Sequence, residues 1–169
     1  NIGYFTPSSK RLKGMTTKEK VVAERTNPDG TRTRLTVQII GTGKYGLPIT
    51  ADLDYYRAFL KLLDGIADQT GHIPEPIPIP TRTLIRYAGK QVSGREFRTV
   101  KDWIRRSHYT GIQGFYYHAA TGDYVEIGGE PLFPRYLLRG QILEHDEQAD
   151  THYVWLASWF RANYLYHHL

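Results

Sequence analysis

The chain has 169 residues, 40% of them hydrophobic and none of them cysteine, with 22 basic against 17 acidic residues for a net charge of +5. That length holds one domain or a small domain with an appendage, and the apolar content suffices for a real core. Without cysteine there are no disulfides, thiolate metal sites or thiol catalysis. No stretch nears the roughly 18 apolar residues of a membrane span, no signal-peptide pattern appears, and the cytoplasm is the expected compartment.

Residues 1–17 show little periodicity and form an N-terminal arm, which either packs through Ile2, Tyr4 and Phe5 or stays mobile. Lys10, Arg11 and Lys13 there either touch a phosphate backbone or are simply solvated. Residues 19–26 and 31–40 bracket Asn27-Pro28-Asp29-Gly30, a type I turn signal that predicts a β-hairpin. In its second strand Leu35, Val37 and Ile39 alternate with Arg34, Thr36 and Gln38, so one face is expected buried and the other wet. Gly41-Thr42-Gly43-Lys44-Tyr45-Gly46 follows a strand and precedes a helix, as a phosphate-cradling loop does. It fails the pattern, because Tyr45 rather than Ser or Thr follows the lysine; a turn with positive-φ glycines is expected instead.

Residues 51–67 predict an amphipathic helix with Leu53, Tyr56, Leu60, Leu63 and Ala67 on its apolar face. Thr50 or Asp52 can cap it, and Asp52 and Asp54 suit its positive end. The proline-rich run 73–80 cannot be helical, since each proline drives its predecessor towards extended geometry and lacks an amide donor. It is an extended connector whose alternating isoleucines look meant for burial.

The chain is organised around residues 81–127. Residues 81–88 predict a short helix that Thr81 can cap, with Leu84, Ile85 and Ala88 on its apolar face and Gly89 in the left-handed position after its end. A turn, Lys90-Gln91-Val92, leads to a second helix opened by Ser93-Gly94-Arg95-Glu96. This is a capping box, in which Ser93 accepts from the Glu96 amide and Glu96 reaches back to the amide of Ser93. Phe97, Val100 and Ile104 share one face with Trp103 at its flank, while Arg95, Arg98, Asp102, Arg105 and Arg106 share the other. Gly111 ends the helix. Residues 115–118 and 124–127 then predict two strands joined through Thr121-Gly122-Asp123, in the position of a wing.

Charge obeys the same division. From Arg82 to Arg106 eight basic residues stand against Glu96 and Asp102, a net +6, which leaves the rest of the chain at −1 within the total of +5. A solvated face usually interleaves both signs; a positive face on the second helix of a helix-turn-helix is suited to enter the major groove and neutralise phosphates. The expected fold class is α+β, a winged helix-turn-helix over residues 18–169 with an N-terminal β-hairpin, its helix-turn-helix at 81–109 and its wing at 112–127. The candidate DNA-binding residues are Arg82, Lys90, Ser93, Arg95, Arg98, Thr99, Lys101, Arg105 and Arg106, with His118 and Thr121 on the wing.

Beyond the wing, residues 132–143 are mixed and Glu144-His145-Asp146-Glu147 reads as a loop. Tyr153-Val154-Trp155-Leu156 predicts a short strand passing into a helix near Ser158, with Phe160, Tyr164 and Leu165 on its apolar face. His145, His152, His167 and His168 lack metal-ligand spacing, so no metal and no cofactor are expected.

Several strings carry a resemblance. Lys44-Tyr45-Gly46-Leu47-Pro48 before the acidic start of a helix, then the helix-turn-helix and wing, then Ser158-Trp159-Phe160 and Asn163-Tyr164-Leu165, resemble bacterial plasmid replication initiator proteins of the RepA type over residues 35–169. The proline-rich connector departs from that pattern. The resemblance implies the first of two winged helices, which bind repeated sites on double-stranded DNA at a plasmid origin, form a homodimer in one state and recruit host replication proteins. It supplies no catalytic residue, and the chain is then a fragment that continues past Leu169. Two other readings stay open: a winged-helix transcriptional regulator, and a replication enzyme that nicks DNA with a tyrosine nucleophile and a histidine-bound metal. The second lacks the pair of histidines flanking one apolar residue that such enzymes need.

Overall fold

The computed structural model describes residues 17–118, 122–139 and 151–168; for 18–22, 116–118, 123–124 and 167–168 it describes the backbone alone. In chain order the elements are β1 (Thr17–Thr26), β2 (Arg32–Ile40), α1 (Thr50–Thr70), β3 (Ile77–Pro80), α2 (Thr81–Tyr87), α3 (Gly94–Tyr109), β4 (Gly111–His118), β5 (Asp123–Gly129), β6 (Arg135–Leu137), β7 (Thr151–Trp155) and α4 (Ser158–His168). They make an α+β fold with two antiparallel sheets, one ordered β1-β2-β4-β5 and the other β3-β7-β6. None of the described helices is long and apolar enough to cross a membrane.

The first sheet joins two hairpins that the sequence presents separately. The β1–β2 turn closes through Gly30 at φ 82°, whose amide donates to Asn27 O at 3.0 Å. The hairpin expected as a two-stranded wing is β4–β5, and β4 also pairs along the whole of β2, from Thr33 opposite His118 to Ile40 opposite Gly111. It is half of a four-stranded sheet. This also blurs the alternation expected in β2: Ile39 is buried, Leu35 and Val37 only half so, and Thr36 on the other face is buried where it stands opposite Phe115.

In α1 the N-cap is Ile49. Asp52 closes the first turn by accepting the Ile49 amide at 2.9 Å, and Gly71 at φ 72° ends the helix with its amide on Ala67 O. The buried stripe is turned from the expected one and runs through Asp52, Tyr55, Ala58, Phe59, Leu62, Leu63 and Ala67. Two neighbours set that phase. The Trp103 ring lies against Tyr55 and Phe59 on one side, and Phe160 of α4 meets Tyr56 at the stripe's margin.

The connector is more than extended chain: its second half is β3, which pairs with β7 so that Ile77 lies opposite Val154 and Ile79 opposite His152. Both isoleucines are fully buried, and Pro78 and Pro80, which alternate with them, are tolerated because β3 is an edge strand. β3 runs directly into α2, so Pro80 occupies the N-cap. Thr81, expected there, is instead the buried first residue of the helix. At the far end Gly89 takes φ 71° as expected. Its amide bonds Arg86 O and that of Lys90 bonds Ile85 O, the paired bonds of a Schellman ending.

α3 packs its inner face onto the core that α1 dominates. Val100, Trp103, Ile104 and Ser107 form its buried stripe, while Phe97, expected inside, is only half-buried. Trp103, expected at the flank, is 1% exposed, because Phe133 arrives after β5 and meets its ring edge-on at 5.3 Å, and Phe59 packs against both of these rings. An aromatic side chain of this kind buries roughly 150–250 Å², an upper estimate of about 4–6 kcal/mol. The predicted strand and helix at the end of the chain are β7 and α4. Glu130 caps α4 from the end of β5, accepting from the amide and the hydroxyl of Ser158.

Candidate nucleic-acid interface

The outward face of α3 is a single stripe. Arg95, Arg98, Asp102, Arg105 and Tyr109 recur at spacings of three and four opposite the buried Val100, Trp103, Ile104 and Ser107. Three contacts fix the start of the helix against α1. The Ser93 hydroxyl accepts the Glu96 amide at 3.3 Å, and the Glu96 carboxylate takes the Tyr55 hydroxyl, so the reciprocal half of the expected capping box is replaced by a bond to α1. Burial, and then the Glu96 carboxylate, push the Tyr55 hydroxyl far above its ordinary pKa, so it stays a donor. Lys90 in the turn lies 3.2 Å from Asp54 and 5.6 Å from the centre of the Tyr55 ring.

The candidate residues therefore fall into groups with different freedom. Arg95 and Arg98 are exposed, and neither has a carboxylate within ion-pair distance among the described residues. Arg82 on α2 is also exposed, its guanidinium 6.0 Å from the centre of the Phe97 ring. Arg105 shares the outward stripe but bonds Asp102 at 3.0 Å. Lys101 is half-buried on the flank towards His152. The Thr99 hydroxyl is turned back onto Arg95 O, and Lys90 is engaged with α1.

Arg106 does not belong to the outward face. Its guanidinium bonds both Asp52 oxygens, at 2.6 and 2.9 Å, and donates from Nε to Tyr45 O at 2.9 Å. Both side chains are largely buried, and burial raises the Asp52 carboxyl while Arg106 and the Ile49 amide pull against it. The reason is helical phase: Arg106 sits between the outward Arg105 and the buried Ser107, facing the start of α1. His118 ends β4 with its side chain outside the described residues, and Thr121 lies outside them altogether. β4 does not pack along α3, and its eight residues carry the tip roughly 25 Å from the helix end.

Beside α3 lies a surface absent from the sequence candidates. On β6 the exposed Arg135 and Leu137 stand opposite Trp155 and Tyr153 of β7, and exposed Arg139 follows. The Arg135 guanidinium is 4.5 Å from the centre of the Trp155 ring, and that of Arg139 is 5.5 Å from the centre of Tyr153. Tyr136, pointing the other way, packs on His108 and Tyr109 at the end of α3, and burial and its hydrogen bond to Tyr109 raise its hydroxyl. The signal in the sequence is the alternation of Arg135, Leu137 and Arg139, which gains meaning only from pairing with Tyr153 and Trp155. Among the described residues no three His, Asp or Glu side chains gather as metal ligands; His145 lies outside them, as do the side chains of His167 and His168.

A strand, two helices and a returning pair of strands around a basic outward helix define an α+β fold with an exposed cationic face. No family model matches the sequence, and comparison with curated proteins gives no match. The fold is nonetheless shared with solved proteins. Two crystal structures of domains 2 and 3 of RctB superpose with TM-scores of 0.64 and 0.66, at 15% and 14% identity, over 97% and 96% of this chain. This chain spans 57% of the length of each of those chains.

Proposed function

We propose that the chain is a sequence-specific, non-enzymatic DNA-binding domain of a replication initiator, built on a winged helix-turn-helix. The elements β3, α2, α3, β6 and β7 succeed one another in the winged-helix order, with β7 between β3 and β6. On this reading α3 enters the major groove and the wing is the β6–β7 ribbon. The β4–β5 hairpin is then an insertion that pairs with the N-terminal hairpin. One observation carries the proposal: the exposed Arg95 and Arg98 and the half-buried Arg105 of α3 lie opposite its buried stripe, with Arg135 and Arg139 on the adjacent ribbon. Arg82 and Lys101 lie at the flanks as phosphate contacts, Arg106 positions the helix against α1, and the Thr99 hydroxyl is taken up within the helix by Arg95 O. The fold shared with domains 2 and 3 of RctB supports the initiator reading, as do the strings from Lys44 to Pro48 and from Ser158 to Phe160.

On this proposal the partners are double-stranded DNA at a plasmid origin, a second copy of the chain and host replication proteins. Selection of bound duplexes from a random pool tests it. Direct repeats support an initiator, and a palindrome would shift the reading to a winged-helix transcriptional regulator. No enrichment, with Arg98→Ala binding as well as the parent, would remove the DNA-reading role. Metal-dependent cleavage of single-stranded DNA would instead favour the nicking enzyme.

A further inference from the structure

The loop between β2 and α1 is built rather than slack. Thr42 and Gly46 form a bridge, with the Gly46 amide on Thr42 O at 2.7 Å and the Tyr45 amide on the Thr42 hydroxyl at 3.2 Å. A β-carbon on Gly41 would come within 2.5 Å of Gly46 O, so only glycine permits the closure. The loop is also fastened to the end of α3. Tyr45 O accepts from Arg106, and the Tyr45 ring stacks on Tyr109 at 5.0 Å with 12° between planes. Tyr109 is the last residue of the outward stripe. Exposed Lys44, its ammonium 5.2 Å from the centre of the Tyr45 ring, is therefore held beside the C-terminal end of that stripe.

Resting on the DNA-binding reading, we propose that Lys44 is a phosphate anchor for duplex DNA lying along α3, positioned by Tyr45, Tyr109 and the Arg106–Asp52 pair. In helix-turn-helix docking the N-terminal residues of the recognition helix contact base edges, so the far end of α3, roughly 24 Å along its 16 residues, lies towards the phosphate backbone. That end is also where the helix dipole is negative, by about half a charge, and would repel phosphate unless a cation offsets it. The basic side chains of the last turns are already engaged: Arg105 by Asp102, Arg106 by Asp52, and the His108 ring by Phe133 O at 2.7 Å. Lys44 has no carboxylate within ion-pair distance among the described residues. Its rigid loop also lowers the entropy lost when a phosphate is gripped.

The test is a salt titration of binding to a labelled random-sequence duplex pool about two helical turns long. Lys44→Ala should lower the slope of log affinity against log salt by about one, uniformly across sequences, and Lys44→Arg should restore it. Arg32→Ala removes the same charge at the β1–β2 turn, about 30 Å along the strand from the loop, and should leave the slope unchanged. An unchanged slope for Lys44→Ala, or an equal drop for Arg32→Ala, overturns the anchor. If Arg98→Ala still weakens selected duplexes in that case, only the anchor has failed; if Arg98→Ala is silent as well, the reading beneath it has failed too.

Discussion

Arg106 and Asp52, 54 residues apart, form a two-pronged ion pair that joins the last turn of α3 to the first turn of α1. Asp52 keeps only 3% of its side chain exposed and Arg106 19%, so removing the cation strands a buried carboxylate. Breaking a buried pair from one side costs about 3–5 kcal/mol. Arg106→Gln should lose about that much in urea denaturation at neutral pH, and Asp52→Asn less, because Arg106 is the more exposed partner. Burial already raises the Asp52 carboxyl, and without Arg106 it rises further. The folded variant then binds a proton that the unfolded chain does not, so its deficit should shrink as pH falls towards the carboxylate range. A loss below about 1 kcal/mol would show the pair to be incidental.

Arg98 differs from Arg106 in having no ion-pair partner among the described residues and in standing on the outward stripe. Arg98→Ala should leave the thermal midpoint unchanged and cost about 1–3 kcal/mol on a selected duplex, with a smaller loss on random DNA. Arg105→Ala should show the same pattern with a smaller loss, since Arg105 must first leave Asp102 at 3.0 Å. Titration of both variants on both duplexes separates base reading from phosphate contact. Equal losses on selected and random DNA would mean phosphate contact alone.

The burial order within α3 gives a stability test. Trp103 is enclosed by Tyr55, Phe59 and Phe133, whereas Phe97 is half-buried beneath Arg82. Trp103→Ala should cost about 3–5 kcal/mol, enough to unfold a domain of ordinary stability, and Phe97→Ala distinctly less. The reverse order in denaturation midpoints would mean that the helix is rotated from the phase described.

The local elements are legible in the sequence because their signals are local: the Asn27-Pro28-Asp29-Gly30 turn, Gly89 after α2, Ser93 before α3, and proline-interrupted isoleucines bound for the core. Long-range partners are not. Nothing near Phe115 announces that its strand lies beside Thr36, and nothing near Arg135 announces Trp155 across the sheet. The same blindness hides the role of Arg106, which counts as one more cation in a basic helix until Asp52 is brought to it. Trp103 departs from its expected place for a related reason: a helical wheel assumes one covering neighbour, and α3 has two, α1 and the segment carrying Phe133.

His152 supplies the pH dependence. It is fully buried on β7; its Nδ1 accepts the Arg139 amide at 3.2 Å, which places the proton on Nε2, and Nε2 finds no partner among the described residues. Burial, with the positive charges of Lys101 and Arg105 nearby, lowers the imidazole from 6.5 to about 4. Protonating Nδ1 would also set two donors against each other across the Arg139 contact. As pH falls from about 6.5 to about 4 the unfolded chain takes a proton that the folded chain refuses, so stability present above pH 6.5 is lost across that window. The full loss amounts to about 3 kcal/mol. His152→Phe keeps a ring and cannot titrate, so urea midpoints measured from neutral pH down to the acid limb should fall less steeply than in the parent. Parallel acid limbs for the two proteins would show that His152 titrates normally in the fold.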